Sequence, residues 1–352
     1  MPYRIIQWAT GAKGIYSLRE IIRHPDLELV GLRVYGADKI GRDAGDIAGM
    51  EPTGVIATDS IDDILALDAD CVIYAAQVRL PMDEHDDNVC RLLESGKNVI
   101  ALTGYYWPLT HGQDYVDKLE AACHRGGTTL FGTGYSPGFV TERLAIRMTE
   151  ACNHVESIHY IETCDCSRNK ESIIVDVMGC GKPPEETRID SYTTELTSHY
   201  HYEVLDAMAH ALGVVLDEKR TELETAVALK DETLECGLVI RKGTVGATVR
   251  RWIGYINGKA FITSEHRWNV VSHIPGFEAD DSWQIIIEGR PAMHMILRVG
   301  QTFQDDVPDD TSTKPLFEAV AAPLIRAIPE ICKAPPGLFQ AREFAAWRAR
   351  MD

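Results

Sequence analysis

The sequence predicts an α/β chain, with a doubly wound parallel sheet first and then an α+β domain whose sheet is mostly antiparallel. Three observations carry this. The chain opens on a short apolar strand, a glycine-bearing loop and an amphipathic helix. Apolar runs and helical periods then alternate as far as Phe131, and beyond residue 151 the pattern changes to period-two alternation.

Ile5-Ile6-Gln7-Trp8 forms the first strand, and Ile15, Leu18, Ile21 and Ile22 mark one face of the helix that follows. Between them lies Ala9-Thr10-Gly11-Ala12-Lys13-Gly14, which matches G-x-G-x-x-G except that Ala9 replaces the first glycine. Such a loop aims helix N–H groups at a phosphate. Gly11 permits close approach of a pyrophosphate, Gly14 permits tight helix–strand packing, and Ala9 is expected to turn with a negative φ.

Leu27 to Tyr35 reads as a second strand, completing a β-α-β unit. At its end a site for NAD carries Asp or Glu to hold the ribose 2′-hydroxyl. Tyr35 stands there instead, with Arg33, Lys39 and Arg42 nearby to meet a 2′-phosphate, while Asp38 and Asp43 oppose them. NADP is the expected cofactor, with NAD as the alternative.

A short strand is expected at Val55 to Thr58, followed by a helix that Ser60 caps. Cys71 to Ala76 is a continuous apolar run and hence a buried parallel strand, whose small end residues Ala75 and Ala76 leave room for a cofactor. Helices around 85–95 and 113–124 alternate with strands at 98–102 and 128–131. These elements describe a Rossmann-type dinucleotide-binding domain over residues 1–150.

Two of its strand-end loops carry candidate site residues. Thr103 faces the cofactor, Tyr105 offers a proton, and Tyr106 and Trp107 wall a substrate pocket. In the next loop Tyr135 and Phe139 extend the pocket wall, and Pro137 sits over the nicotinamide and opens a helix.

Residues 151–312 form the second domain, for substrate and dimer contacts. Strands are expected at 155–163, 234–240, 248–257, 261–271, 283–288 and 293–299, with an Asn257-Gly258 hairpin turn and a helix near 194–212. One face of that sheet is left to pack on a second subunit, so a homodimer is expected. The tail, 313–352, carries a helix from Lys314 to Ile328 that completes the first domain.

Composition narrows the function. The formal charge of −18 and pI near 5.1 disfavour nucleic acid and anionic membrane surfaces. There is no apolar run long enough to span a bilayer, and Met1-Pro2-Tyr3-Arg4 leads straight into a strand, so a cytoplasmic protein is expected. Nine cysteines without a disulfide framework suit a reducing compartment, and Cys164-Asp-Cys166 lacks the spacing of a zinc site, so no metal is expected.

Taken together, Ala9 to Gly14, Asp38 to Gly45, Gly132 to Phe139, Met178-Gly179-Cys180-Gly181 and Ala334-Pro335-Pro336-Gly337 resemble the dihydrodipicolinate-reductase-like group that contains 2,4-diaminopentanoate dehydrogenase and the native amine dehydrogenases. The resemblance implies an NAD(P)-dependent oxidoreductase, a homodimer joined through the second sheet, and substrate held between domains. In the amine dehydrogenases it also implies a proton-handling glutamate on the loop that here reads Thr103-Gly104-Tyr105-Tyr106-Trp107, which has no carboxylate. The histidine–lysine cluster of the dihydrodipicolinate reductases has no counterpart, since His199-Tyr200-His201 lacks the lysine.

The leading expectation is therefore hydride transfer between nicotinamide and a small, largely apolar carbonyl, imine or related substrate, with Tyr105 as proton donor. The second is an amine dehydrogenase that recruits another carboxylate, Glu162 or Asp165. The third is a dinucleotide-binding protein without catalysis.

Overall fold

The computed structural model describes residues 1–277, 281–304, 314–341 and 344–350. In chain order the first elements are β1 (Tyr3–Trp8), α1 (Gly14–Arg23), β2 (Leu27–Arg33), α2 (Ala44–Ala48), α3 (Ile61–Ala66), β3 (Cys71–Tyr74), α4 (Asp83–Glu94), β4 (Asn98–Ala101), α5 (Gln113–Gly126) and β5 (Thr129–Gly132). Then come α6 (Ala145–Met148), β6 (His154–Asp165), α7 (Tyr192–Ala211), β7 (Glu218–Val227), β8 (Glu232–Thr233), β9 (Val239–Ile240), β10 (Val245–Ile256), β11 (Lys259–Asn269), β12 (Ser282–Arg290), β13 (Met293–Arg298), α8 (Pro315–Ile331) and β14 (Gly337–Leu338). They divide into two compact units, Met1–Phe139 with Gly300–Arg342, and Val140–Val299 with Glu343–Asp352.

The first unit is a parallel sheet in the order β14-β5-β4-β3-β1-β2. Alternate residues of its strands feed two cores. Ile5, Cys71, Ile73, Ile100 and Phe131 pack on one side with Ile21 of α1 and with Leu324, Ile325, Ile328 and Ile331 of α8. Ile6, Trp8, Val72, Tyr74, Val99 and Leu130 pack on the other with Val89, Leu92 and Leu93 of α4 and Leu119 and Ala122 of α5. Period-two burial on both faces explains why these strands read as unbroken apolar runs.

The chain order reverses between β1 and β3, which places the crevice of an open α/β sheet beyond their carboxyl ends. Val55 to Thr58 does not become a strand. It makes only isolated bridges, Thr58 with Arg33 and Ile56 with Asp43, because the Asp43 carboxylate organises the loop by accepting the Gly45, Thr53 and Gly54 N–H groups. The tail helix is shorter than the 313–352 segment, ending at Ile331 before the chain returns as β14 beside β5.

The second unit holds a six-stranded sheet in the order β13-β12-β6-β11-β10-β7. Four of its five pairings are antiparallel, whereas β6 and β11 run parallel. α7 lies across one face, with His201 stacked on Trp252 at 3.8 Å and Ser198 Oγ accepting the Trp252 indole N–H at 2.8 Å. The expected strand at 234–240 is instead the two-residue ladder β8–β9, since Leu234 N–H turns back to the Leu238 carbonyl. β7 carries charged and Thr side chains with only Leu223, Ala226 and Val227 apolar, so its alternation holds few of the apolar residues by which strands are recognised. The expected break at residue 150 lies later than the one observed, since Thr149 accepts the Trp347 N–H at 3.1 Å and Trp347 packs edge-on against His154.

No helix among the described residues is long and apolar enough to cross a membrane.

Candidate functional site

The first unit builds a phosphate-binding loop. α1 starts at Gly14 without a side-chain cap; Ile15 and Tyr16 N–H turn back to the Gly11 and Lys13 carbonyls at 3.1 and 3.0 Å, so the donors the loop can offer are those ahead of Ile15. Gly11, Ala12 and Lys13 ahead of it are exposed, and a Cβ on Gly11 would meet no atom within 4 Å. A Cβ on Gly14 would fall 2.5 Å from the Ala9 carbonyl oxygen and 3.2 Å from Ala75 Cβ, so only glycine fits there. These are the open cradle and the close packing that a dinucleotide pyrophosphate requires.

Ala9 departs from the expectation of a negative φ. It turns at φ +73°, in the left-handed region, and is held by its own N–H on the Arg33 carbonyl at 2.8 Å and by Gln7 Nε2 on its carbonyl at 2.8 Å. The position keeps the conformation that favours glycine, and the neighbouring hydrogen bonds hold alanine in it.

At the end of β2, Lys39 Nζ donates to both Thr10 O at 2.9 Å and Thr10 Oγ1 at 3.0 Å. The Arg33 guanidinium lies 4.6 Å from the Tyr35 ring centroid and 5.4 Å from that of Trp8, and Tyr35 OH accepts the Trp8 indole N–H at 3.0 Å. Two cations and an exposed aromatic ring thus flank the loop where an NAD site would place an acid. Arg42 is exposed and contributes its backbone, accepting the Ala57 N–H at 2.8 Å. Asp43 is held below its ordinary carboxylate range, first by the Thr53 N–H and then by those of Gly45 and Gly54.

Ala75 and Ala76 are buried just past β3, Ala75 N–H donating to Trp8 O at 2.9 Å, and Thr103 is half-buried just past β4. Pro137 is buried in the loop after β5, but it does not open the helix. Ser136 and Pro137 are extended, Gly138 turns at φ +120°, and helical backbone begins only beyond it. Of the expected pocket residues in this unit, Tyr106 is anchored through its hydroxyl to Leu102 O at 3.0 Å, Trp107 is half-buried, Tyr135 is buried against the Phe139 ring at 5.9 Å, and Phe139 is exposed.

Tyr105 does not fit the role of proton donor. It is only 4% exposed, lies in the core with α4 and α5, and donates its hydroxyl to Asp86 Oδ1 at 2.9 Å, beside Tyr115 OH on the same oxygen at 2.8 Å. Burial, with the Asp86 charge second, pushes its hydroxyl well above the ordinary tyrosine range, while burial raises Asp86 against the pull of the two tyrosines. This triad clamps the loop to α4. No local pattern in the sequence pairs Tyr105 with Asp86.

The second unit holds a polar cluster of its own around Glu162. Strand register aligns Trp283, Glu162, His266 and Arg250 in one row across β12, β6, β11 and β10. Glu162, 12% exposed at its side chain, accepts the Trp283 indole N–H at 2.9 Å and the Tyr160 hydroxyl at 3.1 Å on Oε2. On Oε1 it accepts the Cys164 thiol at 3.6 Å and lies 3.3 Å from His266 Nδ1.

His266 is buried and its Nε2 has no hydrogen-bond partner. Burial lowers the pKa of both His266 and its edge-to-face neighbour His201, the latter well below the ordinary histidine range, so both rings are neutral near pH 7. With Nδ1 facing the carboxylate, the remaining lone pair of His266 is on Nε2. Asp165, the other expected carboxylate, accepts the Ser167 N–H at 2.9 Å, and its own N–H donates to Asp281 at 3.0 Å. It organises the turn after β6. His266 and Arg250 escaped the sequence reading, although each sits at the inward position of an alternating strand, between Ser264 and Trp268 and between Thr248 and Trp252.

Residues 139–352, more than half of the chain, match the model of the 2,4-diaminopentanoate dehydrogenase C-terminal domain. The chain belongs to that family. As a member of the 2,4-diaminopentanoate dehydrogenase family it is an oxidoreductase, and its cofactor is a nicotinamide dinucleotide, which the loop of the first unit fits. It is 28% identical to an amine dehydrogenase of Streptomyces virginiae over 96% of this chain and 94% of that one. It is 23% identical to the 2,4-diaminopentanoate dehydrogenase of Acetoanaerobium sticklandii over 99% and 95%. Among solved structures, that of amine dehydrogenase from Mycobacterium smegmatis superposes with a TM-score of 0.74 at 18% identity over 98% of this chain and 99% of that one, which extends the likeness of fold to the whole chain.

Proposed function

We propose that this protein is an NADP-preferring dehydrogenase that interconverts an amine and its carbonyl counterpart, with Glu162 handling the proton. The observation that carries the reading is Glu162 itself, a half-buried carboxylate gathered by Trp283, Tyr160 and Cys164 beside a neutral histidine. Family relatives named for amine and diamine dehydrogenation make an amine–carbonyl pair the substrate class.

The nicotinamide, when bound, accepts or gives the hydride. Glu162 accepts a proton from the water that adds to the imine carbon during deamination, and returns it to the departing hydroxyl during amination. Trp283 and Tyr160 hold the carboxylate in one orientation. A tyrosine donor is not needed in this scheme, and Tyr105 is bound to Asp86.

Lys39 and Arg33 favour NADP because each places a cation where a 2′-phosphate would bring negative charge. A homodimer joined through the second sheet is part of the proposal. It rests on the largely antiparallel sheet, whose face opposite α7 is free to meet a second subunit. Sedimentation of the full chain at a single-subunit mass would remove that element.

The test is nucleotide oxidation with a ketone panel, with and without ammonium, together with NADPH and NADH titrations followed by protein-to-nicotinamide fluorescence transfer. Turnover should require ammonium. Lys39→Ala should weaken NADPH binding about 10-fold or more and leave NADH within about 2-fold. Full ketone reduction without ammonium would replace the amine reading with a carbonyl reductase, which the carboxylate-free loop at Thr103 to Trp107 would then favour.

A further inference from the structure

One pair of thiols in the first unit is built unlike the rest. Cys71 opens β3, between Ile5 of β1 and Asn98 of β4, and is fully buried on the side of the sheet that α8 covers. Cys332 is the residue on which α8 ends, with its N–H on the Ile328 carbonyl at 3.0 Å, and it is only half-buried against the same core. Its Sγ lies 3.9 Å from the carbonyl oxygen of Asp70, the residue before Cys71, and the Cys71 thiol donates to that sulfur. Two sulfurs far apart in the chain are thus in hydrogen-bond contact.

The pair is asymmetric. Burial holds the Cys71 thiol well above the ordinary cysteine range. Cys332 lies below that range, lowered first by the hydrogen bond from Cys71 and then, against burial and the Asp70 charge, by the Asn98 side chain and Lys333. The carbonyl end of α8 disfavours a negative sulfur, so the direction rests on these donors and on the exposure of Cys332. Neighbouring thiols elsewhere lack the asymmetry, because burial raises Cys90 and Cys123 alike, and Cys166 and Cys180 alike.

We propose that Cys332 and Cys71 form a peroxide-responsive dithiol, in which Cys332 is oxidised first and Cys71 then closes a disulfide that fastens the end of α8 to β3. In the first step the Cys332 thiolate attacks one oxygen of a hydroperoxide. The S–O bond forms as the O–O bond breaks, the sulfur is oxidised to a sulfenic acid, and the other oxygen departs as hydroxide or alkoxide and takes up a proton. In the second, the Cys71 sulfur attacks the sulfenic sulfur, S–S forms as S–O breaks, and the Cys71 proton leaves with the oxygen as water. The two thiols lose two electrons and the hydroperoxide gains them. A dithiol reductant reverses the change by attacking the Cys332 sulfur, expelling Cys71 as a thiol and then closing on itself as Cys332 leaves.

Position decides what the bond does. Cys71 is at the amino end of β3, the end opposite the crevice, and α8 brings Leu324, Ile325, Ile328 and Ile331 onto the sheet just before Cys332. A bond there holds the covering helix down and leaves the phosphate-binding loop alone. It joins residues roughly 260 apart, and closing so long a loop restricts the unfolded chain. Neither step involves Glu162, so the pair stands or falls separately from the amine–carbonyl reading.

In the test, the reduced full chain is treated with hydrogen peroxide, its remaining thiols are blocked with N-ethylmaleimide, and unreduced proteolytic peptides are measured by mass spectrometry. The peptides bearing Cys71 and Cys332 should be joined, lighter than their sum by the two thiol hydrogens, and dithiothreitol should part them. The bond should raise the melting temperature of wild type by about 5 °C, whereas Cys332→Ser should form no link and show no rise. In Cys71→Ala, a dimedone probe should mark Cys332 as a sulfenic acid. Cys332 left free at peroxide levels that oxidise the exposed Cys236, or oxidised past the sulfenic acid in wild type with Cys71 still a thiol, would overturn the pair. A link formed without a change in melting temperature would overturn the fastening. If Cys71→Ala does not fold, the wild-type peptide map and Cys332→Ser, at a half-buried position, decide.

Discussion

Arg250 and Arg251 are adjacent in the chain, and Glu265 is adjacent to His266, yet the two faces of the sheet they occupy are built on different principles. On the face away from α7, Glu265 is 1% exposed and fully partnered, taking Arg251 Nε at 2.7 Å, His159 Nε2 at 3.2 Å and Arg267 Nε. Arg251 also reaches Glu224 at 3.0 Å. On the face under α7, Arg250 has no carboxylate and His266 has a nitrogen without a partner. A pleated strand sends successive residues to opposite faces, so one step along the chain separates a charge that holds the sheet together from a charge with no carboxylate partner among the described residues.

The contrast is broken or sharpened most strongly at the two glutamates. Glu162→Gln is expected to lower turnover by about 10²- to 10⁴-fold with little change in unfolding free energy, since only the proton-handling step loses its group. Glu265→Gln should do the reverse, leaving kcat within about 2-fold and costing about 2–3 kcal/mol of stability, because a buried carboxylate shared by three donors is lost while Arg251 and Arg267 remain partly hydrated. Urea melts and steady-state rates on both variants measure this. If Glu265→Gln abolished activity, the division of labour between the faces would not hold.

Acid sharpens the same comparison. Although burial opposes it, the bonds from His159, Arg251 and Arg267 hold the Glu265 carboxyl down at about 2. Its folded value lies below its unfolded value near 4.3, so the stability it contributes is fully present above about pH 4.5 and is lost as the pH falls toward 2. Wild type should lose about 2 kcal/mol more than Glu265→Gln between pH 5 and pH 3 in denaturant melts. The smallest expected effect is that of Arg251→Gln, under about 1 kcal/mol, because the side chain is 26% exposed and Glu265 keeps two other partners.

Much of the first unit was legible because its strands are buried on both faces and announce themselves as apolar runs, and because Gly14 occupies a position where geometry admits little else. Ala9 shows the limit of such reading. The residue type argued for a negative φ, and a network from Gln7 and Arg33 imposed +73°. Tyr105 was open to misreading because its partner Asp86 sits on a different element. In the second unit, Arg250-Arg251 and Glu265-His266-Arg267 place charges on both faces at once, so the alternation that identifies a strand's inner side disappears where the chemistry is densest. Glu162 was named, with Asp165, as a carboxylate on the first strand of the second domain that could stand in for the missing glutamate, and its row partners became visible only through register.

The parallel pairing of β6 with β11, Ile158 beside Ile262 through Asp165 beside Asn269, joins segments roughly 100 residues apart. During synthesis β6 therefore emerges long before the strands that flank it, and it presents an unsatisfied edge until β11 and then β12 leave the ribosome. Glu162 acquires His266 and Trp283 only in that late step. The chain thus completes the sheet and the polar row together, and a nascent protein with an exposed β6 has no assembled chemistry to run.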